Sequence, residues 1–182
     1  MSVVSGFDEQ IRQYKPVDKA EASFKVKFLT LLEHPDAFQR THLPGHITGS
    51  SFIVSSDSKH TLLVHHAKLN RWLQPGGHAD GDTDVAGVAF REANEETGLK
   101  NITLLRPDIF DLDIHVIPAR KDFPQHEHYD VRYLFRASMT EQIIVSEESH
   151  DVKWVPLADL ESYNNEPALL RMREKLGAMK YE

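Results

Sequence analysis

The chain has 182 residues, 40% hydrophobic and 27% charged, with a formal net charge of −7 and no cysteine. That length fits one domain with a terminal appendage. The missing cysteine excludes disulfides, thiolate nucleophiles and sulfur-rich zinc sites, in keeping with a reducing, cytoplasmic setting. No apolar run approaches the ~20 residues that cross a bilayer. The opening MSVVSGFDEQ lacks the basic flank and apolar stretch of a secretory signal. An acidic balance without a dense Lys/Arg run argues against nucleic acid or membrane as partner, and leaves room for a small anionic substrate neutralised by a metal or an arginine.

In chain order, residues 7–39 predict helix in two pieces broken near Pro16, with Ala22, Val26, Leu29 and Phe38 along one stripe that Phe28, Leu31 and Leu32 widen. Residues 1–42 read as an N-terminal helical segment that packs on the core or against a second copy in a homodimer, and residues 43–182 as the main domain. His42-Leu43-Pro44-Gly45 is a connection. Residues 46–55 predict a strand centred on Phe52, Ile53 and Val54, Asp57-Ser58-Lys59 a turn, and 61–65 a returning strand, together a hairpin. Trp72-Leu73 leads into Pro75-Gly76-Gly77, where a fixed proline torsion and permissive glycines predict a sharp turn. A helix should start from a cap within Asp82–Asp84, bury Val85, Val88, Ala89 and Ala93, and stop at Gly98 after Thr97. Further strands are predicted at 102–105, 110–117, 129–137 and 152–155. The polar stretch 118–128 is long enough to form a lip around a pocket. Val155 to Leu160 reads as a strand end and a short helical turn, and a last helix runs from a cap at Asn165 through Leu176 with Pro167 in its first turn. This succession predicts an α/β fold, an α/β/α sandwich with helices covering a mixed sheet.

The segment from Gly77 to Leu99 carries the chemistry. Glu92 and Glu96, one helical turn apart, project from nearly the same face, and Glu95 borders it. Arg91 precedes Glu95 by one turn and is placed to pair with it. Acids crowded into the last turns of a helix repel one another and meet the negative end of its dipole. A bound Mg2+ or Mn2+ reverses that cost, because such hard ions prefer oxygen ligands and bridge carboxylates to phosphate. The plainer alternative is a solvated helix end with one salt bridge; the Pro-Gly-Gly entry, the acidic loop Asp80–Asp84 and the exit at Gly98 weigh against it.

Gly77, Arg91-Glu92, Glu95-Glu96 and Gly98-Leu99 stand at the spacing of the Nudix box, and the chain resembles Nudix hydrolases over residues 46–160. The strands before the box and Trp154-Val155-Pro156-Leu157 after it are similar as well. Where the family pattern has a glutamate after the leading glycine, this chain has Thr83, which leaves capping to Thr83 and charge to Asp82 or Asp84. The wording GGHADGD resembles that of a Nudix subgroup. The resemblance implies a Nudix-like α/β/α sandwich. It also implies metal-dependent hydrolysis of the pyrophosphate in a nucleoside diphosphate derivative, ADP-ribose or another nucleotide sugar, with release of a nucleoside monophosphate. It implies Mg2+ or Mn2+ on Glu92 and Glu96, with Glu95 as ligand or organiser and the carbonyl of Gly77 as a further ligand. Arg91 either orients Glu95 or approaches the phosphates. The general base would come from a later loop, where Glu147 and Glu148 are the candidates.

Histidine supplies a second clue. Of eleven, His65, His66, His78, His126 and His128 fall near expected pocket elements. His126-Glu127-His128 sets two imidazoles on one side of an extended strand. There they bind a transition metal, contact phosphate when protonated, or belong to a polar loop entering the next strand. His78, beside Gly77, is a candidate for contact with metal, water or phosphate. Extra imidazoles favour Mn2+, Co2+ or Zn2+ over Mg2+. Arg71, Trp72, Phe123, Tyr129 and Arg132 are the remaining substrate candidates, with Trp72 and Tyr129 readable as base-stacking or as packing residues. Two other functions compete with this one. Isoprenoid isomerisation on the related fold needs a cysteine this chain lacks. A non-catalytic nucleotide-sugar sensor would have no need of Arg91, Glu92, Glu95 and Glu96, although Thr83 leaves it room.

Overall fold

The two expected N-terminal pieces form helices α1 (Phe7–Gln13) and α2 (Lys19–Leu31), separated around Pro16, but the second stops at Leu31, and the stretch with Phe38 that was expected to continue it runs in turns. The computed structural model describes residues 6–179. Asp18 caps α2, its side chain accepting from the Glu21 N–H at 2.8 Å. The buried face of α2 differs from the expected stripe: Glu21, Phe28 and Leu31 are inside, whereas Ala22 is exposed and Val26 is 65% exposed. The cause is Glu21. Its carboxylate accepts from the Tyr14 hydroxyl, from the Val17 N–H at 2.9 Å and from the Leu112 N–H at 3.2 Å. An acid so satisfied can be buried, and it turns the helix by roughly one residue step, ~100°.

Downstream come β1 (Gly45–Ser55), β2 (His60–His66), β3 (Arg71–Leu73), β4 (Gly76–His78), α3 (Val85–Thr97), β5 (Thr103–Leu104), β6 (Asp111–Ile117), β7 (His126–Ala137) and β8 (Ser149–Pro156). A single 3-10 turn, Leu157–Asp159, then leads into α4 (Leu160–Tyr163) and α5 (Pro167–Ala178). β7 begins at His126 rather than Tyr129, so both histidines of the expected loop are strand residues. α5 starts one residue later than expected. Glu166 occupies its cap position, and the Asn164 side chain, not Asn165, accepts the Glu166 N–H at 2.9 Å.

The chain forms two compact units, and β1, α3 and β7 each pass from one to the other. The first holds the chain up to Ser50, Gly76–Ala89 and Pro107–Tyr133. In it β4 pairs antiparallel with β1, Thr48 opposite His78 and Gly49 opposite Gly77, and β6 pairs antiparallel with β7 from Asp111 opposite Arg132 to Ile117 opposite His126. A Cβ on Gly49 would lie 2.8 Å from the Val85 carbonyl oxygen, so glycine here lets the start of α3 lie directly on β1. Phe28, Ile47, Val88, Leu112 and Val131 fill this core.

The second unit holds Ser51–Pro75, Phe90–Arg106 and the chain from Leu134. The predicted hairpin forms, with Val54 opposite Thr61, and β2 also pairs antiparallel with β3 and, along its length, with β8. Phe52, Ile53, Leu62, Leu63, Leu99, Leu134, Val155 and Met172 are buried here. No described helix is long and apolar enough to cross a membrane.

Candidate functional site

The acid-bearing helix is fixed at both ends. Asp84 is its cap, Oδ1 accepting the Gly87 N–H at 3.0 Å, and Asp82 Oδ1 accepts the Asp84 N–H at 2.9 Å. Capping therefore falls to Asp84 and not to Thr83. Val85, Val88, Ala89 and Ala93 are all buried, as expected from their spacing. At the far end Gly98 adopts φ +72°, Ile144 donates its N–H to the Thr97 carbonyl at 2.8 Å, and Asn94 donates to the Leu99 carbonyl at 2.8 Å. The first of these bonds satisfies a carbonyl that the helix end leaves open, and the second ties the chain after Gly98 back to the last turn.

On that rigid end, Glu96 is buried, Glu92 half-buried and Glu95 exposed. Arg91 Nη2 lies 3.6 Å from Glu92 Oε1. Burial pushes the Glu92 carboxyl above the usual carboxylate range, and the charges of Glu95 and Glu148 push it further against the opposing Arg91. Glu148 thus acts on Glu92 through space, although both Glu147 and Glu148 are exposed. The Glu148 carbonyl accepts the Ala67 N–H at 2.9 Å, which ties this loop to the segment between β2 and β3. Like charges held together with only oxygen donors are suited to a hard dication, which relieves the repulsion.

In the same unit Trp72 stacks on His65 at 4.9 Å between ring centroids, meets Tyr163 edge-on at 5.5 Å and carries Lys153 Nζ 5.4 Å over its ring. Asn164 bonds the Trp72 carbonyl at 2.8 Å. The Arg71 side chain is paired with Glu166 at the start of α5.

The other unit gathers histidines. His46 on β1, His78 on β4, and His126 and His128 on β7 each offer one ring nitrogen, and these nitrogens all lie within 4.8 Å of one another. Strand pairing explains the convergence: Thr48 opposite His78 brings β4 beside the start of β1, and the two-residue period sets His126 and His128 on one face of β7. Gly77 lies on the same strand as His78, opposite Gly49. Burial holds His46 below the usual imidazole range. Burial, aided by Arg40 and His46, pulls His78 down to about 4; burial with His78 and His115 takes His128 to about 2. His46, His78 and His128 thus take up a proton less readily than a free imidazole. His46 was not among the sequence candidates. Nothing local marks it, because only the pairing of strands distant in sequence brings it to the others.

Close by in sequence, Arg132 is 4% exposed and lies 2.8 Å from Asp130, 3.3 Å from Asp111 and 3.3 Å from Asp113. Burial opposes its charge, but Asp130, Asp113 and Asp111 outweigh burial and raise its pKa. Tyr129 is 8% exposed and packs edge-on against Phe28. Phe123 meets His126 edge-on at 4.9 Å.

The NUDIX domain family matches residues 46–176, beyond the 46–160 expected from motif resemblance. A protein of Lactococcus lactis subsp. cremoris described as a probable DHNTP pyrophosphohydrolase is 29% identical over 131 residues, covering 70% of this chain and 77% of that protein. Among solved structures, an Ap4A hydrolase of C. elegans in a binary complex aligns with a TM-score of 0.59 at 20% identity, covering 72% of this chain and 95% of that one. A NUDIX-family hydrolase from Clostridium perfringens aligns with a TM-score of 0.57 at 26% identity, covering 74% and 98%. These likenesses show the expected α/β architecture of helices with a mixed, curled sheet.

Proposed function

Since the chain belongs to the Nudix family of hydrolases, we propose that it cleaves the pyrophosphate bond of a nucleoside diphosphate derivative, ADP-ribose or another nucleotide sugar, and releases a nucleoside monophosphate. The observation that carries this reading is the crowding of Glu92, Glu95 and Glu96 on one fixed helix end, with Glu148 resisting the ionisation of Glu92. Nudix hydrolases use divalent metals, and the donor set fits one: carboxylate oxygens, mutually repelling, one of them half-buried. Glu92 and Glu96 would hold Mg2+ or Mn2+, with Glu95 as ligand or organiser. The metal supplies neutralisation of the phosphate oxygens and a lower pKa for the attacking water.

The chain's own side chains do the rest. Arg91, 3.6 Å from Glu92, restrains that carboxylate. Glu148 or Glu147 takes the proton from water; Glu148 is favoured, because its charge is felt at Glu92. Trp72, held by His65 and Tyr163, is the stacking candidate for the base once Lys153 moves off its ring, and Arg71 the cation for the phosphates once it leaves Glu166.

The test is a panel of nucleotide sugars and dinucleoside polyphosphates with Mg2+ or Mn2+, products identified by mass, followed by a run in oxygen-18 water to locate the attacked phosphorus. No nucleoside monophosphate from any member would reject the reading. DHNTP as substrate is a second reading, favoured by the Lactococcus lactis relative. It joins the same panel and is distinguished by release of inorganic pyrophosphate.

A further inference from the structure

We propose that His46, His78, His126 and His128 form a binding site for a transition-metal dication, distinct in ligand chemistry from the carboxylates of α3. The inference stands apart from the reading above, since it uses none of its residues as ligands.

The first argument is convergence. A tetrahedral zinc site with Zn–N bonds of ~2.0–2.1 Å has nitrogens about 3.3 Å apart. His126 Nε2 and His128 Nε2 are already 3.2 Å apart, and all four ligand nitrogens fit within 4.8 Å.

The second is tautomer control. A backbone carbonyl only accepts, so the ring nitrogen facing one must carry the proton. His46 Nδ1 faces the His42 carbonyl at 3.2 Å and His126 Nδ1 faces the Pro124 carbonyl at 2.9 Å. Whenever either ring is neutral, its lone pair is therefore on Nε2. Metal-binding histidines are oriented in this way, by an acceptor behind the ring.

The third is an orphan. His46 is fully buried, and its Nε2 has no hydrogen-bond partner. Native interiors seldom keep such an atom, and a metal would be its missing partner.

The donor set names the class of ion. The carboxylates next to the cluster are engaged elsewhere. Asp80 holds Arg40 through its Nε at 2.6 Å. Asp113 holds Arg132 and lies 3.0 Å from His115 Nδ1. Four imidazoles without a carboxylate suit Zn2+, Co2+, Ni2+ or Cu2+ and disfavour Mg2+. A phosphate would need several protonated rings, and rings with centroids 5.0 to 5.3 Å apart repel such charge. Four protein ligands close the coordination shell, which makes the ion structural: it would pin β4, the strand bearing Gly77 and His78, to β1 and β7.

The experiment uses the full chain stripped with chelator and titrated with Co2+, whose tetrahedral complexes absorb visibly, then with Zn2+ as competitor. One equivalent of Co2+ should bind, be displaced by Zn2+ and survive excess Mg2+. His46→Gln and His128→Gln should each weaken Co2+ by more than ~100-fold. The less buried His78→Gln, checked for fold by circular dichroism, should do the same. Glu92→Gln/Glu96→Gln should lose hydrolysis but keep the Co2+ spectrum. Absence of tetrahedral Co2+ absorption in the unsubstituted protein overturns the site whatever the variants do. So does a spectrum that persists in folded His78→Gln, or one that vanishes with the two glutamates. A protein that hydrolyses its substrate yet shows no such absorption sinks this site and leaves the proposed activity standing.

Discussion

Arg132 shows what one side chain can hold. Its guanidinium is buried among Asp111, Asp113 and Asp130, and Asp130 also accepts the hydroxyls of Thr48 at 2.9 Å and Ser50 at 2.7 Å. Replacing the arginine leaves three carboxylates without their cation, and removing one partner of a buried ion pair costs about 3–5 kcal/mol. Arg132→Met should therefore lose stability on that scale in urea unfolding; a loss below about 1 kcal/mol would show that the acids find other partners. Glu92 is the contrasting case, because its surroundings oppose its charge instead of supporting it. Glu92→Gln relieves that repulsion, so the fold should be kept or slightly stabilised while kcat falls by more than ~100-fold, beyond the usual effect of a residue behind the ligands. Parallel melting and turnover measurements check the pair of outcomes. For the general base, alanine replacements of Glu147 and Glu148 assayed at saturating Mg2+ should single out Glu148; two rates near that of the unsubstituted protein would reject both.

Among the elements, α3 was the most legible, because its signals are local. An acid accepts from the first turn, small apolar residues recur at helical spacing, and a glycine ends it. Its cap should be measurable: Asp84→Ala removes the acceptor of the Gly87 N–H and should cost about 1 kcal/mol, with Asp84→Asn costing less. Gly98→Ala should cost more, roughly 1–3 kcal/mol. The positive φ disfavours a side chain, and the new Cβ would lie 2.6 Å from Ile144 Cβ. Equal losses for the two alanine variants in thermal unfolding would show that Ile144 gives way. α2 departs from its sequence pattern for the opposite reason. Its apolar stripe pointed to Ala22 and Val26, but the inward face is set by Glu21, whose partners Tyr14 and Leu112 lie on other segments. β7 starts three residues before its sequence signal, because His126-Glu127-His128 resembles a polar loop until β6 pairs with it.

For the molecule as a whole, the same distinction separates the two groups of candidate ligands. The acids of α3 come from consecutive turns of one helix, so their spacing revealed them. The histidines come from β1, β4 and β7, and only strand pairing makes neighbours of His46 and His126, whose ring centroids are 5.1 Å apart. That cluster gives the metal-free protein a pH dependence of definite sign. His46, His78 and His128 have folded pKa values below the ordinary imidazole value of ~6.5. They are faced by Arg40, His42 and His115, which reinforce the depression together with His126, and by Asp80, which opposes it at His78. Well above pH ~6.5 neither state binds these protons, and their contribution to stability is complete. As pH falls below that value the unfolded chain takes up protons that the fold refuses, so stability is lost progressively towards about 4 for His78 and further for His128. Glu92, raised by burial and by Glu95, acts in the other direction, the fold holding a proton that the unfolded chain has released. Three imidazoles outweigh one carboxyl. In chelator, the melting temperature should fall from pH 6.5 to pH 5, and saturating Zn2+ should lift it most at the upper end, where the ion does not compete with protons. A melting temperature that is flat across this interval in chelator would mean that the rings are hydrated and protonate in the fold as freely as in the open chain.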